Sequence, residues 1–142
     1  MTDKLISPLS KRLFEIDNDL DRFDFLALLA LNSPAFPDEL KTEEHRLPAC
    51  ETKTWYALNY DGAVRLSFES DSLFVKGLCA VLSEIVSLGD VETLASGIGF
   101  ADECYERKII NDARRLGLSS LEEKIKTYTK TIIKEKQNEK SN

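Results

Sequence analysis

Histidine and cysteine are scarce in this chain. Its 142 residues include one histidine, His45, and three cysteines, Cys50, Cys79 and Cys104. No two cysteines form a CxxC pair, so the paired ligands typical of a structural zinc site are missing. Three widely spaced cysteines favour free thiols in a reducing compartment. We therefore predict a cytoplasmic protein that holds no metal or cofactor of its own.

Long apolar runs and glycine-rich phosphate loops are also missing. The longest apolar run, residues 25–31, is far shorter than the roughly 20 residues needed to cross a bilayer. Residues 1–20 contain no apolar signal core, and the segment Gly97-Ile98-Gly99 does not extend to GxGxxG. We therefore expect no membrane span, no export signal and no phosphate-binding loop.

Acidic residues outnumber basic ones, with 25 Asp/Glu against 19 Lys/Arg and a net charge of -6. Such a surface repels phosphate backbones, so nucleic acid is not an expected partner. The content of 42% hydrophobic and 31% charged residues is that of a soluble globular protein. We predict one domain over residues 1–142, with a short flexible N-terminus and a Lys-rich tail at about 134–142.

Hydrophobic periodicity predicts an α+β protein. Alternating residues over 54–60 and 64–68, separated by the turn dipeptide Asp61-Gly62, predict an antiparallel hairpin. Residues 45–48 are a candidate edge strand, which gives a sheet of about three strands. Helical patterns occupy residues 10–16, 23–31, 73–86, 100–112 and 118–133. This order predicts helices packed on one face of a small antiparallel sheet.

Cys50 lies where a loop enters the first hairpin strand, a position from which a side chain can be presented to a partner. The apolar segment 47–49 can shield its sulfur from water. Arg46 and Lys53, with His45, bring positive charge that favours the thiolate. From spacing alone, a structural cysteine at a strand edge is an equal alternative.

The other two cysteines favour structural roles. Cys79 lies on the apolar surface of the helix predicted over residues 73–86, which indicates a buried, inert thiol. Cys104 has acidic neighbours, which raise the pKa of a thiol. A hydrolase dyad of His45 and Cys50 is disfavoured, because five residues of extended loop separate the two and no nucleophile elbow is present.

Four segments together resemble the SufE/CsdE family of sulfur acceptors. The segment HRLPACETKTW, residues 45–55, resembles the family's NxVPGCQSQVW. The segment SDSLFVKGLCAVL, residues 70–82, resembles DSDAxIVKGLxAVL, and ARRLGL, residues 113–118, is similar to SRxNGL. The proline-bearing loop that ends at Lys41 is similar to LIxLGxxLPxLPxxxK. The resemblance covers residues 10 to 128 and implies a SufE/IscU-like fold.

The resemblance implies a function in iron-sulfur cluster biogenesis. Cys50 falls on the family's sulfur-accepting cysteine, which takes a persulfide from a cysteine desulfurase. Asp71 and Arg114 fall in regions associated with desulfurase docking, and we predict His45 and Glu51 as further partner contacts. Pyridoxal phosphate belongs to the desulfurase. The implied protein is an activator and sulfur carrier, monomeric or weakly dimeric, that supplies a downstream Fe-S scaffold.

Three positions of the family motifs bear on local structure. Ala49 replaces the glycine that precedes the cysteine. If that position needed a positive φ, alanine would cost on the order of 1 kcal/mol. Lys76 and Gly77 match the VKG core of the motif, where we expect structural roles.

Two other functions remain open on the sequence. An iron-sulfur scaffold of the IscU/NifU type would need Cys50, Cys79 and Cys104 to converge on one open site. A non-catalytic adaptor would bind a partner through the acidic surface and would not need Cys50.

Overall fold

The computed structural model describes residues 6–141, with side-chain detail through Glu139. Residues 1–5, which belong to the predicted flexible N-terminus, and the last residue, Asn142, lie outside the described residues. Two short 3-10 helices, Asp38–Leu40 and Glu43–His45, precede the hairpin. The regular elements in chain order are α1 (Pro8–Glu15), α2 (Asp19–Leu31), β1 (Thr54–Tyr60), β2 (Val64–Ser70), α3 (Leu73–Leu88), α4 (Val91–Ser96), α5 (Phe100–Glu106) and α6 (Asp112–Ser141).

The two strands form the predicted antiparallel hairpin, with Thr54 paired to Ser70 and Tyr60 to Val64. Gly62 in the turn has a φ of 102°, a conformation that favours glycine. Side chains of β2 alternate between the core and the surface, and its buried face packs on α3. The predicted third strand is reduced to one bridge, between Arg46 and Trp55.

Helix α3 is the centre of the core, as its apolar pattern predicts. It is buried along most of its length and packs on both α2 and β2. Gly77 lies at the crossing with α2, where an added Cβ would lie 2.6 Å from Cβ of Leu26. Lys76 forms a 3.1 Å ion pair with Glu69 of β2. Both residues therefore have the structural roles that we expected.

Helix α5 is joined to α6 at its N-terminus. Its N-terminus is capped by Glu122 of α6, whose carboxylate accepts hydrogen bonds from the backbone N–H groups of Gly99 and Ala101 at 3.2 and 2.6 Å. Burial raises the pKa of Glu122 to about 7. The C-terminus of α5 closes with Lys108 at a φ of 62°.

The helix predicted over residues 100–112 is therefore wrong in its extent, because the chain leaves α5 at residue 107. Two backbone bonds close the end of α5, from Ile109 N–H to the Cys104 carbonyl and from Lys108 N–H to the Tyr105 carbonyl. This pair is the Schellman arrangement that usually places glycine where Lys108 lies. Helix α6 then continues through the Lys-rich segment to Ser141, and Lys136 lies over the Tyr60 ring of the hairpin.

Helix α6 is the longest of these helices, but neither it nor any other helix in the described part of the chain has the length and apolar character to cross a membrane.

Candidate functional site

Cys50 lies in a segment that we call the Cys50 loop, residues 47–53, between the Arg46 bridge and β1. The backbone N–H of Leu47 donates to the Thr54 carbonyl at 2.8 Å, and the N–H of Cys50 donates back to the Leu47 carbonyl at 3.4 Å. Among the described non-glycine residues, only Lys108 has a positive φ. Ala49 is therefore accommodated in this turn without the strain that a positive φ would impose.

The far end of the Cys50 loop is attached to the start of α3. The backbone N–H of Asp71 donates to the Lys53 carbonyl at 3.0 Å. A buried 2.9 Å hydrogen bond joins the side chains of Thr54 and Ser70, on neighbouring strands at the same end of the hairpin. The loop is thus a chain segment attached at both ends to a rigid scaffold, with Cys50 between the attachments.

The half-buried Cys50 side chain lines a small cavity of about 50 Å³ between the loop, α3 and α6, which we call the Cys50 pocket. Its walls are mainly apolar. Polar side chains enter its lining at Glu51, Thr52 and Arg114. The remaining lining residues are Leu47, Val75, Leu78, Cys79, Ala113, Leu118 and Leu121.

Helix α6 meets the Cys50 loop at Gly117. A Cβ built on Gly117 would lie 2.7 Å from Sγ of Cys50, 3.4 Å from its Cα and 3.6 Å from the carbonyl oxygen of Ala49. The sulfur therefore occupies the space that a side chain at residue 117 would fill. Sequence reasoning did not single out Gly117, because it began the last helix at residue 118, whereas α6 begins at Asp112.

Burial raises the pKa of the Cys50 thiol above its ordinary value, while a hydrogen bond from the Thr54 side chain acts in the opposite direction. The prediction that nearby positive charge favours the thiolate is wrong for this conformation. Arg46 pairs with Glu43 at 3.6 Å, and Lys53 is exposed to solvent. In this position the thiol is shielded and burial disfavours the thiolate, which is the nucleophilic form.

The structure brings some of the predicted partner-binding residues together and leaves one apart. Glu51 and Arg114 line the Cys50 pocket, and the Arg114 guanidinium lies 4.6 Å from the centre of the Phe74 ring. Asp71 is exposed at the foot of the loop. His45 is not among the residues that line the pocket, and its Nδ1 lies 3.2 Å from the Thr42 hydroxyl. Their roles in partner binding stay predictions.

The three cysteines divide between two places. Cys79 lies across the Cys50 pocket and is fully buried, and burial raises its pKa to about 12. Cys104 lies in the core near Glu122 and Glu103, where burial also raises its pKa. Within the described residues, no group of three or more His, Cys, Asp or Glu side chains is placed to hold a metal ion. The nearness of Cys79 to Cys50 could not be read from the sequence.

Comparison with known proteins assigns the chain to a family. Residues 8–129 match the SufE family, described as Fe-S metabolism associated domain. The match covers most of the chain, so the protein belongs to the SufE family, as its motifs predict.

Relatives of known name show the same relationship. The chain is 31% identical over 116 residues to the sulfur acceptor protein CsdE of Escherichia coli, across 79% of each protein. It is also 30% identical over 80 residues to the chloroplastic quinolinate synthase of Arabidopsis thaliana, across 55% of this chain and only 11% of that protein.

A solved structure confirms the predicted fold class. The solution structure of a hypothetical protein from Thermus thermophilus superposes with a TM-score of 0.69, covering 87% of this chain and 92% of that one. The two sequences are 20% identical, so this likeness supports the fold alone.

Proposed function

We propose that this protein is a sulfur acceptor that takes persulfide sulfur from a cysteine desulfurase onto Cys50 and passes it to iron-sulfur cluster assembly. The observation that carries the proposal is the placement of Cys50. Of the three cysteines it alone is partly exposed, on a surface loop that covers a small apolar pocket. Membership of the SufE family and the printed name of the CsdE relative support the same function.

The proposed reaction exchanges one sulfur–sulfur bond for another. The Cys50 thiolate attacks the terminal sulfur of the persulfide on the desulfurase cysteine. The bond between that sulfur and the desulfurase cysteine breaks, and its electron pair leaves with the desulfurase as a thiolate. A persulfide then stands on Cys50, with no net oxidation or reduction. The pyridoxal phosphate that generates the first persulfide belongs to the desulfurase.

The Cys50 pocket suits the storage of the transferred sulfur. About 10–15 Å³ of accessible room is enough for one water molecule, so a pocket of about 50 Å³ has room for one further sulfur atom beside Cys50. Its apolar walls, which include Val75 and Leu121, would shield the outer sulfur from water and oxidants. The same burial disfavours the attacking thiolate, so transfer requires the loop to move outward when the desulfurase docks.

Partner contacts are proposed at the mouth of the pocket and at the foot of the loop. Arg114, held against Phe74, and Glu51 flank Cys50 and can pair with groups of opposite charge on the desulfurase. Asp71, just before α3, and His45, at the end of the second 3-10 helix, are proposed as further contacts. In this proposal the protein stimulates the desulfurase by removing its product sulfur.

Mass spectrometry tests the proposal directly. Incubation with a cysteine desulfurase and cysteine, without reductant, should add one sulfur, about 32 Da, to the Cys50 peptide through persulfide exchange. Cys50→Ser should abolish the addition, and the matched control Cys79→Ala should retain it. If Cys50→Ser carried sulfur and stimulated the desulfurase like the wild type, the assignment to Cys50 would be wrong.

The two other functions make different predictions. A scaffold is not favoured by the geometry, because Cys104 does not line the pocket that Cys50 and Cys79 share. A coloured, cysteine-dependent cluster after anaerobic reconstitution would reverse this ranking. An adaptor would keep full activity in Cys50→Ala and would lose it when surface acids are changed to lysine.

A further inference from the structure

Gly117 is placed where helix geometry by itself would favour another residue. It lies inside α6, in the second turn of the helix, and its φ is not positive. Neither a turn nor a left-handed backbone therefore requires glycine. In such a position alanine has the higher helix propensity. The reason for glycine must lie in what packs against it.

What packs against Gly117 is the underside of the Cys50 loop. An added Cβ would meet Sγ of Cys50 at 2.7 Å, closer than two such atoms can approach, and would touch the Cys50 Cα and the Ala49 carbonyl. The backbone of α6 at this point is fixed through the Glu122 cap of α5. The loop, in contrast, has an exposed outer side at Pro48 and Glu51. A side chain at residue 117 would therefore displace the Cys50 sulfur and not the helix.

We propose that Gly117 is a positioning residue that sets how much of the time Cys50 is held against α6 and how much it is presented to solvent. The missing side chain provides the space in which the sulfur is shielded. A methyl group there would shift the loop toward the presented conformation. The physiological role of these two conformations rests on the proposed function, because a sulfur carrier must shield its sulfur from solvent and also present it to a partner.

The test is the alkylation of Cys50 by iodoacetamide in the full chain, followed on the Cys50 peptide by mass spectrometry across a pH series. For Gly117→Ala we expect the pH midpoint of alkylation to fall toward that of a free thiol. The thiolate fraction at pH 7 should rise about tenfold for each unit of that fall, and the alkylation rate should rise with it, because the thiolate is the reacting form. Thr127→Ala, an exposed substitution on α6 away from the pocket, should leave rate and midpoint unchanged.

A double substitution separates this role from a general packing role. Gly117→Ala should lower the melting temperature in the wild-type background, because of the clash with sulfur. In the Cys50→Ala background the same change should raise the melting temperature, because the sulfur is gone and alanine favours the helix.

Two results would overturn the proposal. One is an unchanged or slower alkylation of Cys50 in folded Gly117→Ala. The other is loss of folding in the Cys50→Ala/Gly117→Ala double variant, which would show that the fold needs the glycine independently of the sulfur. Neither measurement uses a desulfurase, so failure of sulfur transfer would leave these results intact and would count only against the proposed function.

Discussion

Gly77 and Gly117 are both glycines inside helices, and each lies where a neighbour leaves no room for a Cβ atom. The neighbours differ. Gly77 faces the backbone and Cβ of Leu26, which belong to helix α2, whereas Gly117 faces the terminal sulfur of Cys50 on a loop. A helix backbone cannot give way locally, but a loop side chain can. The first glycine therefore serves the architecture of the core, and the second serves the site.

The largest expected effect is at the core glycine. Gly77→Ala should destabilise the protein by more than about 3 kcal/mol, the upper end of the range for overpacked cores, because the methyl group meets helix backbone. Urea unfolding would measure this, with Gly117→Ala as the matched substitution. If Gly77→Ala lowered the free energy of unfolding less than Gly117→Ala did, the distinction between a fixed and a movable neighbour would be wrong.

The two cysteines that share the Cys50 pocket should differ in reactivity for the same reason. Cys50 lies on the movable loop, whereas Cys79 lies on α3 with a pKa raised to about 12. At pH 8 in the folded protein, we expect iodoacetamide to modify Cys50 at least about a hundredfold faster than Cys79. Peptide mapping over time would measure both rates. Comparable rates would show that the pocket opens from the α3 side as well.

The Glu122 cap should make the stability of the protein depend on pH. Its pKa is raised from 4.5 to about 7, so the protonated carboxyl is favoured in the folded state. Its contribution to stability is present below about pH 4.5 and is lost as the pH rises through 7. In Glu122→Gln, the decrease in the free energy of unfolding between pH 5 and pH 8 should be smaller than in the wild type. Urea unfolding at pH 5 and pH 8 would measure this decrease. A larger decrease in the variant than in the wild type would contradict the prediction.

The smallest expected effect is at the end of α5. Lys108 has a left-handed φ of 62°, which costs a side-chain-bearing residue on the order of 1 kcal/mol. Lys108→Gly should therefore stabilise the protein by about 0.5–1 kcal/mol, as measured by thermal unfolding. Lys124→Gly, the same change at an exposed position inside α6, should have the opposite sign. Neither variant should change the alkylation rate of Cys50.

The local patterns of the sequence predict much of the fold. Period-two alternation around Asp61-Gly62 predicts the hairpin, and the apolar surface of residues 73–86 predicts the central helix, because both depend on which residues are buried along one element. The third strand is shortened because Pro48 has no N–H to donate and the chain turns at residues 47–50. The end of α5 could not be predicted, since lysine is not a residue that signals a left-handed cap.

For the site, the sequence by itself determined that a cysteine stands in a short apolar loop before the hairpin, within motifs of the SufE family. Tertiary structure decided how that cysteine is held. Residues far apart in the chain, from Leu47 to Leu121, enclose the pocket, and Gly117 supplies the space for the sulfur. Local charge predicts a lowered thiol pKa, but burial by distant residues raises it, because the removal of water disfavours the charged form.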